Sequence, residues 1–381
     1  MSTAWRWIWS GSLLFVLILP ALSQGSLLGF MTDGDPVMSV SARVAAMGGA
    51  SLALDGAELA AFANPAQAAY AEGPGIWLGF GRRMTSEEIV GPETEPGEFG
   101  ARSTSEELFE PLSAGIQWAP GRRVGISLGT TPCYDYRYES EIVIRDAIRP
   151  ARAIGVERLE GRGDLRQHVA ALGVRPAWWL SLGVAGGLVR GQRDMETATH
   201  YYDPDSQSTA SHVSEDLDSE LYSVGLQVRA TQSLRIAAVY RSGLDLGPIS
   251  YPASLGLGVA YGTGRGRGAL FAADLLYRDD GGSFEPGRAL EAVELRVGSE
   301  IRLRGDASVR YGLALIPWYR DDTIEKALIS AGIGRRVFGL MVDVAASVGT
   351  RNYVGQTPYL SEEARVNEST TRVVVTVSYG T

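Results

Sequence analysis

From Gly75 onward the chain is written in short runs in which apolar and polar residues alternate, most clearly from Ala292 to Arg304 (AVELRVGSEIRLR). On an extended strand, Val293, Leu295, Val297, Ile301 and Leu303 fall on one face and Glu294, Arg296, Glu300, Arg302 and Arg304 on the other, because successive side chains of a strand point to opposite sides. The pattern repeats. Leu234, Ile236, Ala238 and Tyr240 oppose Arg235 and Arg241; Phe271, Ala273, Leu275 and Tyr277 oppose Asp274; Val373, Val375, Val377 and Tyr379 oppose Arg372, Thr376 and Ser378. Aliphatic side chains on one side and charges on the other suit a wall with hydrocarbon outside and water or a plug inside.

About fourteen such runs can be marked, near 75–83, 112–118, 123–138, 166–175, 178–190, 218–230, 233–242, 252–261, 268–278, 292–303, 305–315, 327–335, 337–349 and 370–380, an even number as a single-chain bacterial barrel requires. Connections after odd runs read as long, at 84–111, 139–165, 191–217 and 350–369, and those after even runs as tight turns such as Pro120-Gly121-Arg122 and Arg304-Gly305-Asp306. Long on one side and short on the other is the habit of membrane barrels, whereas a soluble sandwich or propeller has no reason to alternate. Aromatic residues gather at run ends, at Trp118, Trp178-Trp179, Tyr201-Tyr202, Trp318-Tyr319 and Tyr379, where their amphipathic rings suit the two interfaces. Arginine recurs in the short turns, at Arg122-Arg123, Arg175, Arg265, Arg267 and Arg335-Arg336. The expected fold is all-β, a transmembrane antiparallel barrel of about fourteen strands spanning 75–381.

The N-terminus changes the compartment. Arg6 precedes the apolar run Gly11 to Leu19, too short to span a bilayer, and Ala21-Leu22-Ser23 offers small residues for cleavage before Gln24, so 1–23 reads as a signal peptide of an exported protein. The single cysteine, Cys133, cannot form an internal disulfide and reads as structural. A net charge of -9 argues against a nucleic-acid partner, which calls for a basic face.

Residues 24–74 are different in kind. They are rich in alanine and glycine with helical spacing around Val44 to Ala69, and they are expected to fold as a small helical hatch inside the barrel. Gly48-Gly49 permits close approach or positive backbone angles, and Asn64-Pro65 is a turn former. The stretch SARVAAMGGASLALDGAELAAFANPA, Ser41 to Ala66, resembles the hatch of FadL-type outer-membrane transporters of long-chain fatty acids and other hydrophobic compounds. Met47-Gly48-Gly49-Ala50 and Asn64-Pro65-Ala66 are the matching landmarks. YPASLGLGVAYG followed by LFAADLLYRDD resembles the mid-barrel segment of that family, and VELRVGSEIRL followed by the strand ending LALIPWYRDD resembles its later strands.

The resemblance implies passive uptake of hydrophobic small molecules or lipids. The ligand adsorbs on outer loops, enters the lumen, and leaves sideways into the outer membrane through a kink of the third strand beside Asn64-Pro65-Ala66. Independently, Thr131-Pro132 lies within the third run, and proline cannot donate to a ladder, so pairing should break there. The apolar residues of the 139–165 loop are candidates for an adsorption groove. The same family contains PorV-like barrels that work with protein partners in secretion, which is the alternative function. Tyr379-Gly380-Thr381 is an imperfect form of the terminal signal read by the barrel-insertion machinery.

Enzyme chemistry is not expected. Gly125-Ile126-Ser127-Leu128-Gly129 fits G-x-S-x-G but lies within one strand, without the strand-turn-helix that a nucleophile elbow needs. His168, His200 and His212 lack metal-ligand spacing, and the glycines of 262–268 have no helix to receive a phosphate. No cofactor, metal or catalytic residue is assigned. Asp274, Glu294, Arg296, Glu300 and Arg302 are the lumen charges expected to hold the hatch in place.

Overall fold

Fourteen antiparallel strands close on themselves in the computed structural model, which describes residues 26–37, 41–56, 60–90, 100–121, 123–145, 149, 152–263, 268–279, 293–318, 321–357 and 360–380. The expected signal peptide, 1–23, lies outside the described residues. The strands are β1 (Gly75–Val90), β2 (Gly100–Trp118), β3 (Val124–Asp135 continued by Tyr138–Arg145), β4 (Ala153–Arg162 continued by Asp164–Ala177), β5 (Leu180–Tyr201), β6 (Thr209–Arg229) and β7 (Leu234–Arg241). There follow β8 (Ala253–Gly262), β9 (Ala269–Asp279), β10 (Val293–Arg302), β11 (Ala307–Trp318), β12 (Asp321–Val337), β13 (Leu340–Thr357) and β14 (Leu360–Tyr379). The seam closes where β14 pairs with β1, from Tyr379↔Ile76 to Arg365↔Val90.

The alternation does what the pattern predicts. Leu255, Leu257 and Val259 of β8, Phe271 and Leu275 of β9, and Tyr311 and Leu313 of β11 are exposed on the outer face, while Asp274, Glu294, Glu300 and Arg310 are buried inside. An outer band of exposed aliphatic and aromatic side chains is stable only against hydrocarbon, since each would otherwise hold apolar surface in water.

The long connections are shorter than the sequence implied. Most of 84–111, 191–217 and 350–369 is paired strand: β5 and β6 remain in register from Leu180↔Val228 to Thr199↔Thr209, and β13 and β14 pair as far as Thr357↔Leu360. Where strands rise past the hydrocarbon, water wets both faces and the apolar-polar alternation fades. The backbone ladder continues regardless, because it depends on N–H and C=O groups and not on side-chain polarity.

One ladder is interrupted. β2 and β3 pair only from Trp118↔Ile126 to Ala114↔Thr130. Beyond that, β2 stays on β1 as far as Gly100↔Val90, and β3 stays on β4 through Asp135↔Asp164, with a register slip between Pro132 and Tyr134, and again from Tyr138↔Gly161 to Arg145↔Ala153. The edge that β3 thereby frees is taken by the N-terminal segment. Asp35 and Pro36 pair with Asp135 and Tyr134, and the Val37 N–H donates to the Cys133 carbonyl at 2.9 Å.

Candidate functional site

The segment before Gly75 contains three short helical pieces inside the wall: α1 (Leu27–Met31), α2 (Ala42–Ala46) and a 3₁₀ turn (Pro65–Tyr70). Both of the last two are capped by their own sequence. Ser41 Oγ accepts from the Val44 N–H, and Asn64 Oδ1 accepts from the Ala66 N–H, satisfying amides that a helix start leaves unpaired. Pro65 then occupies the first turn, where a missing N–H costs nothing.

Against β3 to β6, the hatch is held by backbone contact. Gly125, Gly173, Gly183 and Gly225 form one row across the wall, since Gly125 pairs with Gly173, Gly173 with Gly183, and Gly183 with Gly225. The 3₁₀ turn lies on this row. A Cβ on Gly173 would stand 2.5 Å from the Ala69 nitrogen, and on Gly125, Gly183 or Gly225 it would collide with Ala68, Pro65 or Asn64. Asn64 is fully buried there, its Nδ2 donating to the Leu52 carbonyl at 2.9 Å. A second, shorter row serves Met47-Gly48. Gly298 pairs with Gly312, and Cβ atoms at either would strike Met47 or Gly48. Gly48 and Gly49 have φ of 66° and 87°, the left-handed region open to glycine, and a Cβ on Gly48 would lie 2.5 Å from the Leu313 carbonyl oxygen.

Against β9 to β14, the hatch is held by polar side chains. Asp274 Oδ2 accepts from the Ser51 and Leu52 N–H groups at 2.6 and 3.0 Å. Arg296 Nη1 donates to the Gly49 carbonyl at 3.2 Å, and Arg43 of the hatch donates through Nε to Glu300 at 2.9 Å. Glu294 does not touch the hatch; it takes Arg296 Nε at 2.5 Å and Arg278 Nη2 at 3.1 Å, which fixes Arg296. Arg302 is about half exposed and, among the described residues, its side chain reaches only Glu300, at 3.2 Å. Nearer the start of the chain, Arg351 Nη2 donates to Ser26 Oγ at 2.7 Å and to Asp35 Oδ1 at 3.2 Å, and the Leu27 N–H donates to Glu87 at 2.7 Å.

Between hatch and wall lies a cavity of about 200 Å³. Its apolar lining includes Leu52, Phe62, Val189, Leu221, Val239 and Leu276; Thr131, Pro132 and Cys133 of β3 form another side, and Arg241, Arg278 and Arg296 supply its charge. Pro132 therefore stands both at the cavity and two residues past the last β2–β3 pair, Ala114↔Thr130. Stacked Tyr134 and Tyr251, 3.8 Å between ring centroids, close the same region.

The sequence pattern does not single out the wall glycines, and it places Arg241 on the polar face without showing that its guanidinium donates to the Phe62 carbonyl. Glycine at lumen-facing positions of neighbouring strands was the available signal, since glycine in a strand marks close approach of another backbone. Gly125 and Gly129 of the G-x-S-x-G stretch belong here: both sit inside β3 beneath the hatch, against Ala68 and Phe62.

A closed antiparallel wall with an apolar outer face and an N-terminal hatch pinned in its lumen defines a plugged barrel of the transmembrane type. No family model matches the chain and no curated protein matches it. Among solved structures, it is similar to a Pseudomonas aeruginosa FadL homologue, at 13% identity with a TM-score of 0.62, over 91% of this chain and 99% of that one. It is likewise similar to the Pseudomonas putida toluene transporter TodX, at 14% identity and TM-score 0.65 over 91% and 99%. A third similar structure is the Ralstonia pickettii toluene transporter TbuX, at 13% and 0.56 over 90% and 98%. The chain has the fold of these FadL-type barrels over nearly its whole length, the fold that the hatch resemblance implied.

Proposed function

We propose that the protein is an outer-membrane channel for passive uptake of hydrophobic compounds, fatty-acid-like amphiphiles among them, released sideways through the interrupted β2–β3 ladder. The observation that carries this reading is the shared position of Pro132, which lines the lumen cavity and lies where β3 has left β2. An apolar ligand moving from a partly wet cavity into hydrocarbon goes downhill without crossing a polar surface, so no energy source is needed. The hatch segment 35–37 occupies the freed β3 edge. Release in this scheme requires that short pairing to yield, and a two-residue bridge is the least costly part of the wall to open.

Two of the solved structures that share this fold are toluene transporters, which supports apolar cargo. The cavity here adds a charged end. Arg278 and Arg296 share the carboxylate of Glu294 and Arg241 donates to the Phe62 carbonyl, leaving positive charge for an anionic head beside apolar walls for a tail.

The test is native mass spectrometry of protein extracted gently from outer membranes. Small apolar ligands should travel with the native chain and be lost when Pro132 and Asn64-Pro65-Ala66 are replaced together. Replacing Arg241 by Gln should weaken a long-chain carboxylate about tenfold, the worth of one charge-assisted hydrogen bond, and leave a neutral alcohol of the same length unaffected. A stoichiometric protein companion with no small molecule would sink the channel reading in favour of a PorV-like role.

A further inference from the structure

The turns that join even strands to odd ones share a composition that the transport reading does not use. The windows 119–123, 175–179, 229–235, 263–268, 302–306 and 335–339 contain eleven arginines, no lysine and one acidic residue, Asp306. At the opposite end no such bias holds: 84–111 has eight acidic residues and one arginine, and 139–165 has six acidic residues and five arginines. In a chain of net charge -9, solubility alone gives no reason to collect one sign, and one residue type, at one rim.

Part of this collar is used internally. Arg229 and Arg235 meet Asp55 of the hatch, and Arg175 and Arg229 lie over the Tyr70 ring at 5.4 and 4.0 Å. Arg123, Arg304, Arg335 and Arg336 are different: they are exposed, and none has a side-chain hydrogen bond or ion pair among the described residues. Arg335 shares the outward face of β12 with Ile329 and Ile333, two of the most exposed aliphatics of the wall. A charge on that face is tolerated only at the edge of the hydrocarbon, where the guanidinium can reach the headgroups. The three exposed tryptophans of the described chain, Trp118, Trp178 and Trp179, stand at this same rim, as does the fully exposed Phe338. Tryptophan at strand ends marks an interface.

We propose that this rim is a phosphate-reading collar: Arg123, Arg304, Arg335 and Arg336 bind the headgroups of anionic phospholipids in the leaflet that the short turns face. The proposal rests on the membrane placement made under the proposed function, but not on what the channel carries. Arginine's planar fork takes a phosphate through two parallel N–H···O bonds, which a lysine ammonium does not. The collar is continuous with the lipid-facing apolar band, so its occupant is the molecule whose tails already touch that band.

The rim tryptophans provide the reporter, since Trp77 and Trp318 are buried. The full barrel is reconstituted in vesicles containing either brominated phosphatidylglycerol or brominated phosphatidylcholine, and tryptophan quenching is compared at equal mole fraction. The anionic lipid should quench more strongly, by about twofold, and about 0.5 M salt should remove most of the excess. The variant R123Q/R304Q/R335Q/R336Q, shown to be folded by its heat-dependent gel mobility, should quench equally with both lipids. Equal quenching of the native barrel, or an excess unchanged in the variant, overturns the collar while leaving the channel reading standing. Quenching by neither lipid overturns both, because the barrel would then not sit in the bilayer. Binding of a soluble polyanion such as polyglutamate without any lipid preference also overturns it and points to a periplasmic macromolecule.

Discussion

The hatch is seated in two ways: the 3₁₀ turn lies on a row of glycines across β3 to β6, whereas the 43–52 segment adds buried charges to a shorter glycine contact on β10 and β11. On β3 to β6 the glycine row brings the backbone of residues 65–69 directly onto the strands, with only Tyr70 covered by arginine side chains. On β9 to β11 Met47-Gly48 also rests on Gly298 and Gly312, but the residues on either side of it are held by Asp274, Arg296 and Glu300. The two devices differ in what they tolerate. A close-packed glycine row has no slack, because any Cβ displaces backbone, and backbone in a closed sheet has nowhere to move. A long charged side chain can adjust, and its loss leaves an unpaired partner instead of a clash.

The comparison can be broken most severely at Gly183. Gly183→Leu places a side chain where Pro65 lies and should expel the 3₁₀ turn from its seat. The expected result is rapid proteolysis within 60–74 and a large rise in single-channel conductance, in a barrel that still forms. A conductance and cleavage pattern like those of the native protein would mean that the row is not what seats the turn. Gly225→Leu, which meets Asn64, should behave alike.

A smaller effect is expected at Asp274. Asp274→Ala leaves the buried Ser51 and Leu52 N–H groups without their acceptor, a loss of about 1–3 kcal/mol. Amide hydrogen exchange at residues 50–53 should accelerate by about tenfold to a hundredfold, with the 3₁₀ turn still protected. If 65–70 loosened equally, the two halves of the seat would be one cooperative unit and the distinction drawn above would fail.

Glu294→Gln should come next. It leaves Arg296 and Arg278 without their shared carboxylate and so frees the Arg296 guanidinium from the geometry that reaches Gly49. Exchange at the hatch glycines should rise less than in Asp274→Ala. Arg302→Gln is expected to do least. Its half-exposed guanidinium reaches a buried Glu300 carboxylate that Arg43 and Arg310 already hold, and a pair with one end in solvent contributes about 0–1 kcal/mol. Thermal unfolding within a degree of the native protein is the expected reading, and a large drop would give Arg302 a role that its contacts do not show.

Barrel and hatch were legible to different depths. Val293 to Leu303 betrayed a membrane strand because a period of two with opposite polarity on the faces has few other causes. The Met-Gly-Gly and Asn-Pro-Ala landmarks were legible as a hatch, and Pro132 as an irregularity, because glycine and proline act on local backbone. The length of β5 and β6 was hidden, since above the hydrocarbon a strand no longer needs an apolar face and only its ladder records that it exists.

The sequence by itself determined the periodicity, the short turns, the Asn64-Pro65 turn and the one-sided distribution of arginine. All of these are properties of a few consecutive residues. The tertiary structure alone decided that Gly125, Gly173, Gly183 and Gly225 form one row, that Asp274 receives Ser51 and Leu52, and that Arg241, Arg278 and Arg296 share one cavity. Those are matters of register between strands far apart in the chain. Register is set by closing the whole ring of ladders at once, so no local pattern contains it.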